Sequence, residues 1–115
     1  MITPSREYIE NISNLRYSTP MKKFARIQLT ISVLKQGNRY VAYAPALDLS
    51  TSGRSEKEAK KRFVEAAMLL LEELDAAGTM HEVLIELGWK QERKQWAPPR
   101  VISEEAVGLR MPVAA

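Results

Sequence analysis

The sequence predicts an α+β fold: an antiparallel sheet of three to four strands, one main helix packed on it and a second short helix. Two observations carry this prediction. Apolar and polar residues alternate along much of residues 25–51, which is the period-two pattern of half-buried strands. Residues 55–78 then carry apolar residues at helical spacing between a capping serine and a glycine.

The first two strands are predicted to form a β-hairpin. Residues 27–33 alternate apolar and polar side chains, and residues 39–44 form the second strand. Between them lie Gly37 and Asn38, which both tolerate positive φ and therefore favour a tight turn. Residues 47–51 are expected to continue as a third short strand.

The main helix is predicted to begin after Ser55 and to end at Gly78. Ser55 is the expected N-cap, and Glu58 three residues later completes a capping box. Gly78 is a typical helix stop. A second capping box at residues 79–82 predicts a short helix that ends at Leu87.

For residues 88–115 the sequence contains no continuous pattern, and the structure is predicted from single tryptophans, prolines and short apolar stretches. We expect Trp89 to fold back as an anchor, residues 90–95 to form a polar loop, and Trp96 to begin a pinned, extended segment with the prolines that follow. The apolar stretches at 101–102 and 107–111 are each interpreted either as an added strand or as a segment that runs along a neighbour.

Length indicates one domain, because 115 residues leave little room for a second. We place this domain at residues 21–89. Residues 1–20 are interpreted as an N-terminal extension, either loose or a docking arm. Residues 90–115 form a C-terminal tail that is too short for a full DNA-binding domain.

Composition excludes several kinds of site. Without cysteine there is no disulfide, thiolate metal site or cysteine nucleophile. The longest apolar run, residues 66–71, is too short to cross a bilayer, and the N-terminus has no signal-like apolar region. We therefore expect a cytoplasmic protein without membrane contact.

Catalysis, a metal site and a cofactor are not expected. His81 is the only histidine and has no second ligand at metal-binding spacing, so we interpret it as a surface residue. The strands contribute a single acid, Asp48, although a degenerate nuclease with metal held by carboxylates stays an alternative. The serines and threonine near residues 50–55 are explained by turns and caps.

One stretch resembles a known family. The string YVAYAPALDLSTSGRSEKEAKKRFVEA, which begins at Tyr40, resembles the HicB-type antitoxins, and the later GTMHEVLIELGW is similar to their second helix. The resemblance covers about residues 25–89. The matching positions are Tyr40, Val41, Ala42, Tyr43, Pro45, Leu47, Gly53, Ser55, Glu58 and Ala59.

The resemblance implies a partial ribonuclease-H-like fold without nuclease activity. It implies a type II antitoxin that binds and blocks a small RNA-cleaving toxin of the HicA kind, and a homodimer or tetramer. Many relatives also repress their own operon through a C-terminal DNA-binding domain. The 26 residues after Trp89 are too few for such a domain, which leaves operator binding open.

The candidate contact residues follow from this resemblance together with the charge pattern. Residues 51–88 hold five basic and eight acidic side chains, a balance of −3 within a chain of net charge +3. Tyr40 and Tyr43 should lie on opposite faces of one strand, so one of them is expected to be exposed. The predicted toxin-binding residues are Tyr40, Tyr43, Asp48, Glu72, Glu73 and Asp75.

The helix is also expected to carry an oligomer interface. Its apolar stripe is wider than one sheet face requires, which suggests that it buries a second surface against another copy. The predicted interface residues are Val64, Met68 and Leu71. Two further alternatives are a solitary HicB-like oligomer without a toxin, and a nucleic-acid-binding regulator that uses the basic N-terminal arm and the loop between Trp89 and Trp96.

Overall fold

The computed structural model describes residues 24–114 and confirms the α+β class: a three-stranded antiparallel sheet, a main helix and a short second helix. The predicted extension at residues 1–20 lies outside the described residues. Within the described part, no helix is long and apolar enough to span a membrane. The elements are β1 (Ser32–Gln36), β2 (Arg39–Ala44), β3 (Leu49–Gly53), α1 (Glu56–Ala77), α2 (Met80–Glu86), β4 (Lys90–Glu92) and β5 (Gln95–Ala97).

The predicted hairpin is present, but its first strand is shorter than expected. β1 pairs with β2 only from Ser32 opposite Tyr43 to Gln36 opposite Arg39. Residues 25–31 carry no strand assignment, although their apolar side chains pack in part against the core. In the turn Gly37 has φ of 60° while Asn38 is not among the positive-φ residues, so the glycine alone supplies the left-handed conformation.

The third strand begins two residues later than predicted because residues 45–48 form a turn. The N–H groups of Leu47 and Asp48 donate to the carbonyls of Ala44 and Pro45 at 3.3 and 3.1 Å. β3 then runs to Gly53, where a side chain would place Cβ 2.7 Å from the backbone nitrogen of Ala59. Gly53 is therefore required by the close approach of β3 to the start of the helix.

The caps of α1 largely match the prediction. The Ser55 hydroxyl accepts a hydrogen bond from the Glu58 N–H at 3.0 Å. The Glu58 carboxylate accepts from the N–H of Arg54 at 3.4 Å rather than from Ser55, so the capping box is shifted by one residue on that side. Gly78 ends the helix in the left-handed conformation, with φ of 72°.

The core lies between α1 and one face of the sheet. Thr51 is buried, and its hydroxyl donates to the carbonyl of Ala59 at 3.0 Å, which fixes β3 to the first turns of α1. The buried alanines of β2, Ala42 and Ala44, leave room for the helix to approach closely. The buried apolar residues are Ala42, Ala44, Ala46, Leu47, Ala59, Phe63, Ala67, Leu84 and Trp89.

The short helix α2 forms without the predicted second capping box. Thr79 precedes it, but the threonine side chain makes no capping hydrogen bond. Leu84 of this helix is almost completely buried. The anchor role predicted for Trp89 is confirmed, because its side chain is 2% exposed and its indole N–H donates to the Ala46 carbonyl at 2.7 Å.

The loop predicted at residues 90–95 is wrong, since β4 and β5 form a small hairpin there. Its turn residues Arg93 and Lys94 both have positive φ, at 49° and 67°. Trp96 in β5 packs partly against the core and meets His81 edge to face, with ring centroids 5.6 Å apart.

The strands considered at residues 101–102 and 107–111 do not form. Residues 98–114 carry neither helix nor strand, and their apolar side chains are mostly exposed. In the described chain these segments are hydrogen-bonded to no strand, and a β-strand requires a partner strand to pair its backbone N–H and C=O groups. Contact along a neighbour, the other interpretation, stays a prediction.

Candidate functional site

The candidate site is the face of the three-stranded sheet that points away from α1, here called the open face. Successive strand residues point to opposite faces. Because Ala42 and Thr51 face the helix, the strand register assigns the intervening residues to the other side. The open face consists of Ser32, Leu34, Gln36, Arg39, Val41, Tyr43, Ser50 and Ser52.

The centre of the open face is apolar. Leu34 of β1 lies directly opposite Val41 of β2, and Val41 lies opposite Ser52 of β3. Leu34 is 47% exposed and Val41 is half-buried. Leu34 and Val41 therefore form a small apolar patch at the centre of this face.

Tyr43 lies next to this centre between two small neighbours. Its cross-strand partners are Ser32 on β1 and Ser50 on β3, so no bulky side chain faces the ring from either adjacent strand. A half-buried tyrosine in such a position presents both an apolar ring and a polar hydroxyl to a partner.

A hydrogen bond to Asp48 fixes the position of the Tyr43 hydroxyl. The phenol donates a hydrogen bond to Asp48 Oδ1 at 3.0 Å. The turn makes this contact possible, because Asp48 adopts φ of 48° and its side chain reaches back to β2. The hydrogen bond to Asp48, followed by desolvation and the negative charge of that carboxylate, raises the pKa of Tyr43 above its ordinary value of 10.0.

Arg39 places a positive charge at the other end of the open face. Its guanidinium donates to the hydroxyl of Ser52 at 3.2 Å. The ring of Tyr40, in contrast, lies on the helix side, where it packs against the core and has the Lys35 ammonium 5.9 Å from its centroid. The structure thus decides which of the two tyrosines faces outward: it is Tyr43.

The predicted contact residues do not form one surface. Tyr43 lies on the open face, and Asp48 bonds to it from the turn at the edge of that face. Glu72, Glu73 and Asp75 lie near the C-terminal end of α1, and α1 packs on the opposite side of the sheet. A single compact partner on the open face would therefore not contact these acids.

The residues predicted to form an oligomer interface differ in how much of each side chain is exposed. Val64 and Met68 are 55% and 58% exposed on α1, whereas Leu71 is half-buried and packs against the core. The exposed pair therefore lies on the outer surface of the helix, separate from the open face.

Most polar groups considered for catalysis or nucleic-acid stacking have structural contacts. Thr51 bonds to α1, Ser52 accepts from Arg39, and Ser55 caps the helix. Across residues 24–114 there is no group of three or more His, Cys, Asp or Glu side chains that could hold a metal ion. Trp89 is buried, so its ring is not available for stacking on a base.

Sequence reasoning missed Leu34, Val41 and Arg39 as members of the candidate site. The sequence contained a signal for Val41 and Arg39, because strand residues two and four positions before Tyr43 must lie on the same face as Tyr43. The register of β1 against β2, which brings Leu34 opposite Val41, was not available from the alternation alone.

Comparison of the chain with protein-family models, with curated proteins and with solved structures finds no match. The HicB-type resemblance of residues 25–89 therefore stays a prediction from the residues themselves.

Proposed function

We propose that this chain is a non-catalytic, antitoxin-like binding module that neutralises a small RNA-cleaving toxin by protein–protein contact in the cytoplasm. The observation that carries the proposal is the open face, where Tyr43 is oriented by Asp48 beside the exposed Leu34. The resemblance to HicB-type antitoxins supplies the kind of partner, a HicA-like toxin.

The physical argument rests on how protein interfaces gain affinity. A few central aromatic and apolar side chains carry most of the binding energy, while polar residues around them exclude water. On the open face Tyr43, Val41 and Leu34 form the apolar centre, and serines, Gln36 and Arg39 surround it. Because the hydroxyl of Tyr43 is already bonded, less rotamer freedom is lost on binding.

Inhibition by such a module requires no chemistry from the chain. A protein that cleaves RNA must present cationic groups to the phosphate backbone. A binding module that covers this cationic groove blocks the substrate sterically. Asp48, at the edge of the open face, supplies a carboxylate that can meet a cationic group next to the Tyr43 contact.

The test is retention of a native partner by matched variants of the tagged chain. Wild type, Tyr43→Ala and Leu34→Glu are used to capture proteins from the native lysate, and the retained small basic protein is purified and assayed for RNA cleavage. We expect wild type to inhibit cleavage stoichiometrically. Each open-face variant should bind about tenfold more weakly or worse, the usual cost of truncating a central contact.

Ile85→Glu is the matched control, because Ile85 on α2 is 46% exposed, about as much as Leu34, and lies outside the open face. It should retain the toxin like wild type. Retention of no RNA-cleaving protein would contradict the proposal and favour a solitary oligomeric module. Capture of nucleic acid alone, with steep salt dependence, would favour the nucleic-acid-binding alternative.

A further inference from the structure

The C-terminal tail carries an apolar pattern that the fold does not use. From residue 107 to residue 113 every second side chain is apolar, which is the period of a strand with one buried face. These side chains are nevertheless 72–87% exposed, and the segment pairs with no strand among the described residues. We call them the tail strip: Val107, Leu109, Met111 and Val113. The pattern fits a peptide that adds as a strand to an exposed sheet edge of another molecule.

Pro112 determines which backbone groups of the tail are able to pair. In a strand, the N–H and C=O groups of successive residues point to opposite edges. Pro112 has no N–H, so the edge that it shares with Arg110 lacks a donor and has to face away from a partner strand. The other edge belongs to the tail strip, whose residues all have an N–H. The same residues therefore supply the apolar side chains and the pairing backbone groups.

The tail leaves the folded domain next to the open face. Val101 lines the same pocket as Pro45 and Ala46. The turn that contains these two residues also holds Asp48 at the edge of the open face. The six residues from Val101 to the start of the tail strip span about 20 Å when extended. Since a small domain is about 30 Å across, the tail strip reaches the side of a small protein bound to the open face.

The sheet of this chain is a poorer acceptor for the tail strip. On β3, the Ser52 carbonyl already accepts a hydrogen bond from the Arg62 guanidinium at 3.1 Å. On β1, the exposed Lys35 and Gln36 lie at the edge of the sheet, and a lysine on an edge strand disfavours pairing with another strand. The occupant of the open face is therefore the better candidate for pairing with the tail strip.

We infer that the tail strip adds as an edge strand to the partner that covers the open face, and so holds this partner from a second side. The inference rests on the proposed function, because that partner is the proposed toxin. Backbone hydrogen bonds would supply affinity in this contact, and the alternate apolar side chains would supply specificity.

Proline substitutions test the edge that is assigned to each residue. The probe is the small basic RNA-cleaving protein purified with the wild-type chain, and its affinity for each variant is measured by titration calorimetry. Arg110→Pro changes only the outward edge and should bind within about twofold of wild type. Leu109→Pro removes an N–H from the pairing edge and should bind at least about tenfold more weakly. Leu109→Ala keeps that N–H and should bind more tightly than Leu109→Pro.

Amide hydrogen exchange tests whether the backbone ladder forms. In the complex, the N–H groups of Leu109 and Met111 should exchange at least about tenfold more slowly than in the chain alone, because they are hydrogen-bonded to the partner. The N–H of Arg110 should gain no such protection. Equal protection of all three amides, or equal weakening by the two proline variants, would contradict the assignment of edges.

The outcomes separate this inference from the proposed function. If Tyr43→Ala weakens toxin binding and Leu109→Pro does not, the tail inference is wrong and the proposed function stands. If no RNA-cleaving protein is retained by the wild-type chain, both are wrong. Protection of the Leu109 and Met111 amides in the chain alone, rising with its concentration, would assign the tail strip to a second copy and overturn the inference.

Discussion

At the scale of single residues, the Tyr43–Asp48 hydrogen bond shows how a turn prepares a strand side chain for contact. Asp48 adopts a left-handed backbone, which aspartate tolerates better than most residues. That conformation returns its carboxylate to the tyrosine five residues earlier. The ring is thereby oriented on the open face before any partner arrives, which is the reason that we place Tyr43 at the centre of the candidate site.

Asp48→Asn should lower the pKa of Tyr43 toward its ordinary value. The neutral amide lacks the negative charge that, with the hydrogen bond and desolvation, raises this pKa above 10.0. Because the folded-state pKa is raised, the stabilising contribution is complete below about pH 10 and is lost as pH rises through the folded-state value. Alkaline titration of the Tyr43 ring signals by NMR measures the pKa.

Tyr43→Phe is the reference in that experiment, because it removes the Tyr43 ring signals and so assigns them to this residue. An unchanged pKa of Tyr43 in Asp48→Asn would show that the hydrogen bond is absent in solution.

At the scale of elements, α1 and the β4–β5 hairpin differ in how strongly their own residues specify them. α1 has a serine N-cap, a glycine stop and a continuous apolar stripe, and all three features indicate the same helix with the same ends. The hairpin has only three residues in each strand and a turn of Arg93 and Lys94, both left-handed. Neither residue type favours that conformation, and the hairpin contacts the core through Trp96.

Replacing Arg93 with Asn and Lys94 with Gly should stabilise the chain. These residues adopt positive φ readily, which relieves a strain of the order of 1 kcal/mol at each position. We expect the free energy of unfolding to rise by only about 1 kcal/mol in urea denaturation, because the greater freedom of glycine in the unfolded chain offsets part of the relief. Lys90→Gly, in strand β4, is the control and should lower it instead. If the turn variant gains nothing, Arg93 and Lys94 do not hold left-handed conformations.

At the scale of the whole molecule, Trp89 joins parts that are distant in sequence. Its indole donates to the Ala46 carbonyl 43 residues earlier, and its ring completes the core beside Leu84. This contact ties the end of α2 to the turn that precedes β3. The same turn holds Asp48 next to Tyr43. The contact that stabilises the core therefore also helps to fix the geometry of the open face.

Trp89→Phe should destabilise the fold by about 2–4 kcal/mol. The change leaves the buried Ala46 carbonyl without its donor and opens a space in the core. Trp96→Phe is the matched control and should cost less, since Trp96 is only half-buried. Thermal and urea unfolding of both variants compare the two costs. Equal costs would contradict the anchoring role of Trp89.

Much of the architecture was predictable from local patterns in the sequence. The alternation of apolar and polar residues over 27–33 indicated a strand. β1 begins only at Ser32, because the pairing with β2 extends no further than Ser32 opposite Tyr43. The capped stripe of α1 and the anchor at Trp89 were also recognisable, since each rests on a cap, a period or a large apolar side chain near its own segment. The hairpin at β4 and β5 was not, because its turn lacks glycine and asparagine.

The sequence by itself determined the α+β class, the sheet-and-helix order and the placement of Tyr40 and Tyr43 on opposite faces. Only the tertiary structure decided that Tyr43 is the outward one, that Leu34 and Val41 lie beside it, and that the acids of α1 belong to a different surface. The reason is physical. Periodicity assigns residues to faces, but which face is open depends on where the helix packs, and that is a contact between segments far apart in the chain.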